Sequence, residues 1–291
     1  MRILVTGASG MLGSSLAVEL SKKHDVFGTG NTPMNLPFSY RSFDLSCDSY
    51  DELVQWSQPE LIIHCAALTH GNYCQNNVLE ALNINGYSLQ KLMNATDDSV
   101  KIIYISTDAI FPSRLHMAKE SDCPFPENVY GKSKELGEFF LLNSDRDFTI
   151  VRTTIVGFNE YRNKKGFLEW IIDSTKSHEE INLFDDVLFT PISIWDFIRE
   201  IDFLIDLSSY QYKVLHMAGG ESCSKYEFGM RMLEALSLST SNIKKGYISS
   251  FKDRAKRSND QTLDCSFYQQ EFDRALPKLK DTINKIKEAY L

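Results

Sequence analysis

Short apolar runs of strand length alternate with amphipathic stretches through the first half of the chain. The runs at 2–6 (RILVT), 25–29 (DVFGT), 60–64 (ELIIH), 100–106 (VKIIYIS) and 147–152 (DFTIVR) read as buried strands. Between them, apolar residues recur at helical spacing and predict helices over 11–22, 48–57, 77–95 and 129–144. Buried strands alternating with helices imply parallel pairing, right-handed crossovers and helices on both faces. The pattern therefore predicts an α/β fold with a doubly wound parallel sheet, whose ligands bind beyond the carboxyl ends of the strands.

Past about residue 153 the rhythm becomes irregular. Helices are expected at 166–176, 194–207, 224–236 and 277–290, with short strands near 181–184 and 213–217. These segments are too fragmented to repeat the first unit. They predict a smaller C-terminal α/β region that packs over the sheet edge and closes a cleft, with parts of 194–217 as candidates to rejoin the sheet.

Composition narrows the function classes. The chain has 291 residues, enough for one large α/β unit or two smaller ones. No run approaches the length of a membrane span, and the opening "MRILVTGASGM" reads as a strand and turn rather than a signal peptide. Cysteines 47, 65, 74, 123, 223 and 265 lack metal-ligand spacing, so reduced thiols in a cytoplasmic protein without a metal are expected. The formal net charge of −8 disfavours nucleic acid as a partner, because the basic cluster "KDRAKR" at 252–257 is short and isolated.

The chemistry concentrates at predicted strand ends. The first strand runs into "TGASGMLG", with Gly7, Gly10 and Gly13 where a strand turns into a helix. Small residues there let the backbone approach a pyrophosphate, and the N–H groups at the helix start receive it. The spacing G-x-x-G-x-x-G is wider at the front than the usual dinucleotide fingerprint. The second strand ends in "FGTGNTP", without an acidic residue to hold a free ribose 2′-OH. A 2′-phosphate beside Asn31 is therefore tolerated, and NADPH is expected to be preferred to NADH or equal to it. Asp44 is placed to accept from the adenine amino group, and Cys65, Ala66 and Ala67 let a flat dinucleotide lie against the backbone. His64 reads as a strand-end histidine and not as a base. "YISTDAIF" puts Ser106, Thr107 and Asp108 at another strand end, and "VYGKSKELGE" puts Tyr130 and Lys134 four apart on one helical face.

Together, G-x-x-G-x-x-G, a strand ending in S-T-D, and P-x-N-x-Y-G-x-S-K-x-x-G-E resemble the extended short-chain dehydrogenase/reductase superfamily. The closest resemblance is to the dTDP-4-dehydrorhamnose reductase family of sugar-nucleotide reductases. It spans nearly the whole chain, through "VRTTIVG" at 151–157, Gly166-Phe167, Pro191, "VLHMAGGESCSKYEF" at 214–228, Arg257 and Leu263-Asp264. The resemblance implies NAD(P)H-dependent reduction of a keto-deoxy-sugar nucleotide, with Thr107, Tyr130 and Lys134 catalytic. It implies that Gly7, Ser9, Gly10, Met11, Leu12, Gly13, Asp44, Leu45 and Cys65 to Leu68 line the cofactor, with Tyr130 and Lys134 at its nicotinamide end. Residues 1–155 would then form the NAD(P)-binding Rossmann-like unit, and 156–291 mainly the substrate-binding region. A homodimer is compatible with this reading.

Other readings share the motifs. A dehydratase typically carries Thr-Asp-Glu at the strand end, and here the third residue is Ala109, which cannot move a proton. An epimerase on the same fold stays open, as does a non-catalytic NADP-binding subunit resembling that of methionine adenosyltransferase. Where the rhamnose reductases typically read D-Q-x-G-x-P-T, this chain has Asp186-Val187-Leu188-Phe189-Thr190-Pro191-Ile192, and their Arg-Pro becomes Arg257-Ser258. Val187, Leu188 and Phe189 are expected to give the pocket an apolar lining, so the preferred sugar or its carrier should differ from dTDP-4-keto-rhamnose.

Overall fold

The computed structural model describes residues 1–159, 165–250, 256 and 258–291. Strands β1 (Arg2–Thr6), β2 (Asp25–Gly30), β3 (Ser39–Ser42), β4 (Leu61–His64), β5 (Lys101–Thr107) and β6 (Phe148–Thr153) pair in parallel with one another and with the distant segment Val214–His216. The resulting seven-stranded sheet has the order Val214–His216, β6, β5, β4, β1, β2, β3. The five strands expected in the first half are recovered, and the end of 194–217 does rejoin the sheet. β3 was not expected. Its sequence SYRS is polar and mostly exposed, so backbone pairing to β2 at the sheet edge makes it a strand.

Successive strand residues point to opposite faces, which splits the sheet between two cores. Ile3, Val5, Ile63, Ile103 and Ile105 join one core with helices Met11–Leu20 and Ile194–Ile205. Leu4, Ile62, Ile102, Tyr104 and Ile150 join the other, beneath helices Tyr50–Ser57, Ser88–Ala95 and Val129–Leu142. The helix expected over 77–95 is interrupted. Helix Val78–Leu82 widens into a π-helical turn, Asn83–Tyr87, before Ser88–Ala95 resumes. That turn brings Gly86 so close to helix Val129–Leu142 that an added Cβ would lie 2.7 Å from Leu136 Cδ2.

A third core unites helices Phe167–Lys176, Lys225–Ala235 and Leu279–Tyr290 with the paired strands Ile181–Phe184 and Ile243–Gly246. The expected apolar pocket lining needs correction here. Phe189 is fully buried in this core against Phe228, and Val187 is buried too, whereas Leu188 is half-buried. Strand Leu188–Phe189 pairs with Cys223–Ser224 on one side and Asp260–Gln261 on the other, which turns the Phe189 ring inward.

Of the basic cluster at 252–257, Lys256 is described, and Arg257 lies outside the described residues. Among the described residues, no helix is long and apolar enough to cross a membrane, and no cluster of ligating side chains could hold a metal. The cysteines are free thiols.

Candidate active site

The strand order lines up the sequence-predicted residues. β3, β2, β1, β4 and β5 are consecutive neighbours, so their carboxyl ends form one continuous edge. Along it stand Asp44 and Leu45, then Asn31, then the glycine loop, then Cys65 to Leu68, then Thr107.

Gly7 has φ +71°, the left-handed region, and a Cβ there would fall 2.7 Å from the Ala66 backbone. Gly13 lies in the first turn of helix Met11–Leu20, where a Cβ would sit 2.2 Å from the Gly7 carbonyl oxygen. These close approaches require glycine and leave a backbone cradle at a helix start. Gly10 caps that helix without a side-chain hydrogen bond, so its first N–H groups face the loop mouth. A Cβ at Gly30, the end of β2, would touch Ser9 Oγ at 2.3 Å, which brings β2 and the loop together. Met11 and Leu12 are half-buried against the core, and Asn31 is exposed. Asp44 is exposed at the rim, its Oδ1 accepting from the Ser46 N–H at 2.8 Å and hydroxyl at 2.6 Å. Those bonds lower its carboxyl below the usual range.

Leu68 is clamped by a residue that periodicity did not reveal. The Asn85 side chain accepts from the Leu68 N–H at 2.7 Å and donates to its carbonyl at 3.0 Å. The same amide donates to Ser133 Oγ at 2.8 Å, and Ser133 donates to the Tyr130 carbonyl at 2.7 Å. The π-helical turn thus ties the β4 loop to the helix that carries Tyr130 and Lys134. His64 behaves as expected of a strand-end histidine. It is fully buried, its Nδ1 lies 2.9 Å from Thr6 Oγ1, and burial pushes its pKa down to about 3.

Asn128 caps helix Val129–Leu142 by accepting from the Gly131 N–H at 2.8 Å. The helix then presents Tyr130 and Lys134 toward the end of β5. Burial raises the Tyr130 phenol above its ordinary pKa, against an opposing pull from the nearby Thr107 hydroxyl. The proton therefore stays on Tyr130 at neutral pH. Lys134 is 2% exposed, and its ammonium has no hydrogen-bond partner among the described residues. Burial pushes the ammonium down to about 7, against an upward pull from Glu138 and then Cys65. The Thr107 hydroxyl donates to Asp108 Oδ1 at 2.9 Å, and Thr154 donates to Oδ2. Burial raises the Asp108 carboxyl, opposed by those hydroxyls and by the positive charge of Lys225.

Two further groups were not read as functional from the sequence. Lys225 opens helix Lys225–Ala235 with its ammonium 3.3 Å from the centre of the Phe189 ring and 5.2 Å from that of Phe167, where its charge reaches Asp108. Glu138 and Arg152 form a buried bidentate pair, at 3.1 and 2.7 Å, bonded also to Ser106, the residue before Thr107. "KELGE" and "VRTT" contain both partners, but only the sheet register shows that they meet.

The residues present fit a nicotinamide dinucleotide. The cradle that any Cβ would fill suits a pyrophosphate, and the buried ammonium with no hydrogen-bond partner among the described residues suits a ribose hydroxyl.

The chain is similar to several known proteins. The structure aligns with that of dTDP-4-dehydrorhamnose reductase from Bacillus anthracis in complex with NADP, at a TM-score of 0.86 and 26% identity over 99% of both chains. The dTDP-4-dehydrorhamnose reductase of Aggregatibacter actinomycetemcomitans is 28% identical over 80% of this chain and 78% of its own length. Methionine adenosyltransferase 2 subunit beta of Danio rerio is 34% identical over 53% of this chain and 48% of that protein. The family described as RmlD substrate binding domain matches residues 1–291, and the chain belongs to that family.

Proposed function

We propose that the chain is an NAD(P)H-dependent oxidoreductase that reduces the carbonyl of a keto-deoxy-sugar nucleotide. The observation that supports this reading is the buried Lys134 ammonium, without a hydrogen-bond partner among the described residues, on the helix that carries Tyr130 near Thr107, with the glycine cradle along the same sheet edge.

Gly7, Ser9, Gly10, Met11, Leu12 and Gly13 would hold the pyrophosphate, Asn31, Asp44 and Leu45 the adenosine end, and Cys65 to Leu68 the middle. Lys134, with Tyr130, would hold the nicotinamide ribose. When bound, the nicotinamide supplies the hydride. When substrate binds, the Thr107 hydroxyl turns its one proton from Asp108 to the substrate carbonyl oxygen and holds it. Tyr130 gives its proton to that oxygen as the alcohol forms, and the Lys134 ammonium stabilises the phenolate left behind. Asp108, fixed between Thr107 and Thr154, orients the Thr107 hydroxyl. Residues 156–291 supply most of the substrate contacts. With no carboxylate after β2, NADPH binds at least as tightly as NADH.

The discriminating experiment follows NADPH oxidation against a panel of keto-sugar nucleotides with different sugars and carriers. Turnover of any member supports the reductase. Tight NADPH binding without turnover, together with co-purification of a larger enzyme, favours the binding-subunit reading that the methionine adenosyltransferase similarity keeps alive. Inversion of a sugar centre without net NADPH consumption favours the epimerase.

A further inference from the structure

β5 and β6 are in register with Ser106 opposite Arg152, and both side chains face the underside of helix Val129–Leu142. The helix lies close there, since a Cβ at Gly137 would meet the Tyr104 hydroxyl at 2.3 Å. Into this gap Glu138 projects its carboxylate. Arg152 holds it through Nε at 3.1 Å and NH2 at 2.7 Å, and Ser106 donates to it at 2.5 Å. The two charged side chains are 2% and 3% exposed. Arg152 is packed from behind by Phe111, 5.1 Å to the ring centre, and by His216 Nε2 at 3.5 Å.

A buried ion pair is a poor device for stability alone, because desolvation offsets most of its attraction and apolar residues would hold helix to sheet as well. Its position gives it another use. Glu138 follows Lys134 by four residues, one turn along the same helical face. The other groups facing Lys134 are Tyr104 from β5 and His64 and Cys65 from β4 and its loop, with Tyr130 one turn earlier on its own helix. Burial keeps all four neutral near pH 7: both phenols and the Cys65 thiol are pushed up, and the imidazole is pushed down. Glu138 is therefore the anion that faces the buried ammonium among the described residues, and Ser106 links that anion to the residue preceding Thr107.

We propose that the Glu138–Arg152 pair is a positioning unit of the active site, in which Glu138 keeps the Lys134 ammonium charged and, through Ser106, holds Thr107 in line with it. Arg152 fixes the carboxylate so that its charge stays one turn from Lys134. Glu138 touches neither substrate nor cofactor; it acts through its neighbours. The inference rests on the proposed role of Lys134 at the nicotinamide ribose.

The test measures NADPH affinity by fluorescence titration from pH 5.5 to 9.5, and the alkaline limb of kcat/KM where a substrate is turned over. The proteins are wild type, Glu138→Gln, Glu138→Gln/Arg152→Met, and Lys134→Met as a control. Wild-type affinity falls through an alkaline midpoint that Lys134→Met abolishes. Glu138→Gln moves that midpoint down by about one pH unit or more, so that activity and binding recover on acidification. The double variant removes the arginine together with the carboxylate, remains folded, and keeps its midpoint below that of wild type. A midpoint at the wild-type pH in the folded variants, with only a lower melting temperature, would make the pair a structural staple and overturn the proposal. A midpoint that survives Lys134→Met overturns it as well. Absence of turnover on every substrate strikes the reductase reading instead, since the binding titration needs no substrate.

Discussion

The Lys134 ammonium stands 4.0 Å from the centre of the Tyr104 ring. A desolvated cation over an aromatic face gains about 2 kcal/mol, which offsets part of the hydration this ammonium gives up. The ring is fixed because its hydroxyl donates to the Asn85 carbonyl at 3.0 Å and lies 3.2 Å from that of Lys134.

Substitution can separate ring from hydroxyl. Tyr104→Leu removes the aromatic face and is expected to weaken NADPH binding by about tenfold or more. Tyr104→Phe keeps the face, so binding stays within about twofold while stability falls by roughly 1–2 kcal/mol from the lost buried hydrogen bond. Fluorescence titration and urea unfolding read the two effects. Equal losses of binding in both variants would contradict the role given to the ring.

The glycine cradle predicts a steric outcome. Gly13→Ala places a methyl 2.2 Å from the Gly7 carbonyl oxygen, and backbone cannot step aside as a flexible side chain would. We expect a stability loss of at least about 1–3 kcal/mol and NADPH affinity reduced by about 100-fold or more. A variant that unfolds and binds like wild type would show that the loop does not need this contact.

Stability should fall on mild acidification. His64 and His216 are fully buried, and burial lowers each to a pKa of about 3, with Lys134 adding to the effect on His64 and Arg152 on His216. The unfolded chain takes up these protons near pH 6.5, whereas the folded one resists until near pH 3. The native state therefore loses ground from about pH 6.5 downward. The pair should cost roughly 2 kcal/mol between pH 7 and pH 5.5. Chemical denaturation at the two pH values measures this, and an unchanged unfolding free energy contradicts it.

Lys225 lies on the rings of Phe189 and Phe167 with its charge reaching Asp108, which under the proposed function would put it on the substrate side. Sugar nucleotides carry a diphosphate, so Lys225→Met is expected to raise the substrate KM about tenfold, corresponding to about 1.4 kcal/mol. NADPH affinity should hold. A change in NADPH binding with an unaltered KM would place Lys225 on the cofactor side instead.

Features encoded over short distances were readable in the sequence. Gly7, Gly10 and Gly13 fall at one strand–helix junction, and Tyr130 and Lys134 lie one helical turn apart; spacing grouped each set, and the family resemblance supplied the catalytic reading of the pair. β3 was not readable, because SYRS carries no apolar alternation and is a strand only through its neighbour. The π-helical turn was equally hidden: Asn85 looks like one more polar residue until Leu68 and Ser133 close around it. Glu138 and Arg152 meet only because β6 returns beside β5, a consequence of register that no local pattern carries. Phe189 was misplaced in the pocket lining for a related reason, since its inward face is set by pairing with Cys223.

The central claim is that Tyr130 delivers the proton. Tyr130→Phe removes only the hydroxyl, leaving the helix, Lys134 and the glycine cradle in place. The decisive measurement is kcat for carbonyl reduction beside the NADPH dissociation constant, for wild type and Tyr130→Phe, under conditions where chemistry limits the rate. The account predicts a kcat lower by about 100- to 10,000-fold with NADPH affinity nearly unchanged. A variant that keeps more than about a tenth of the wild-type kcat would show that the proton comes from elsewhere.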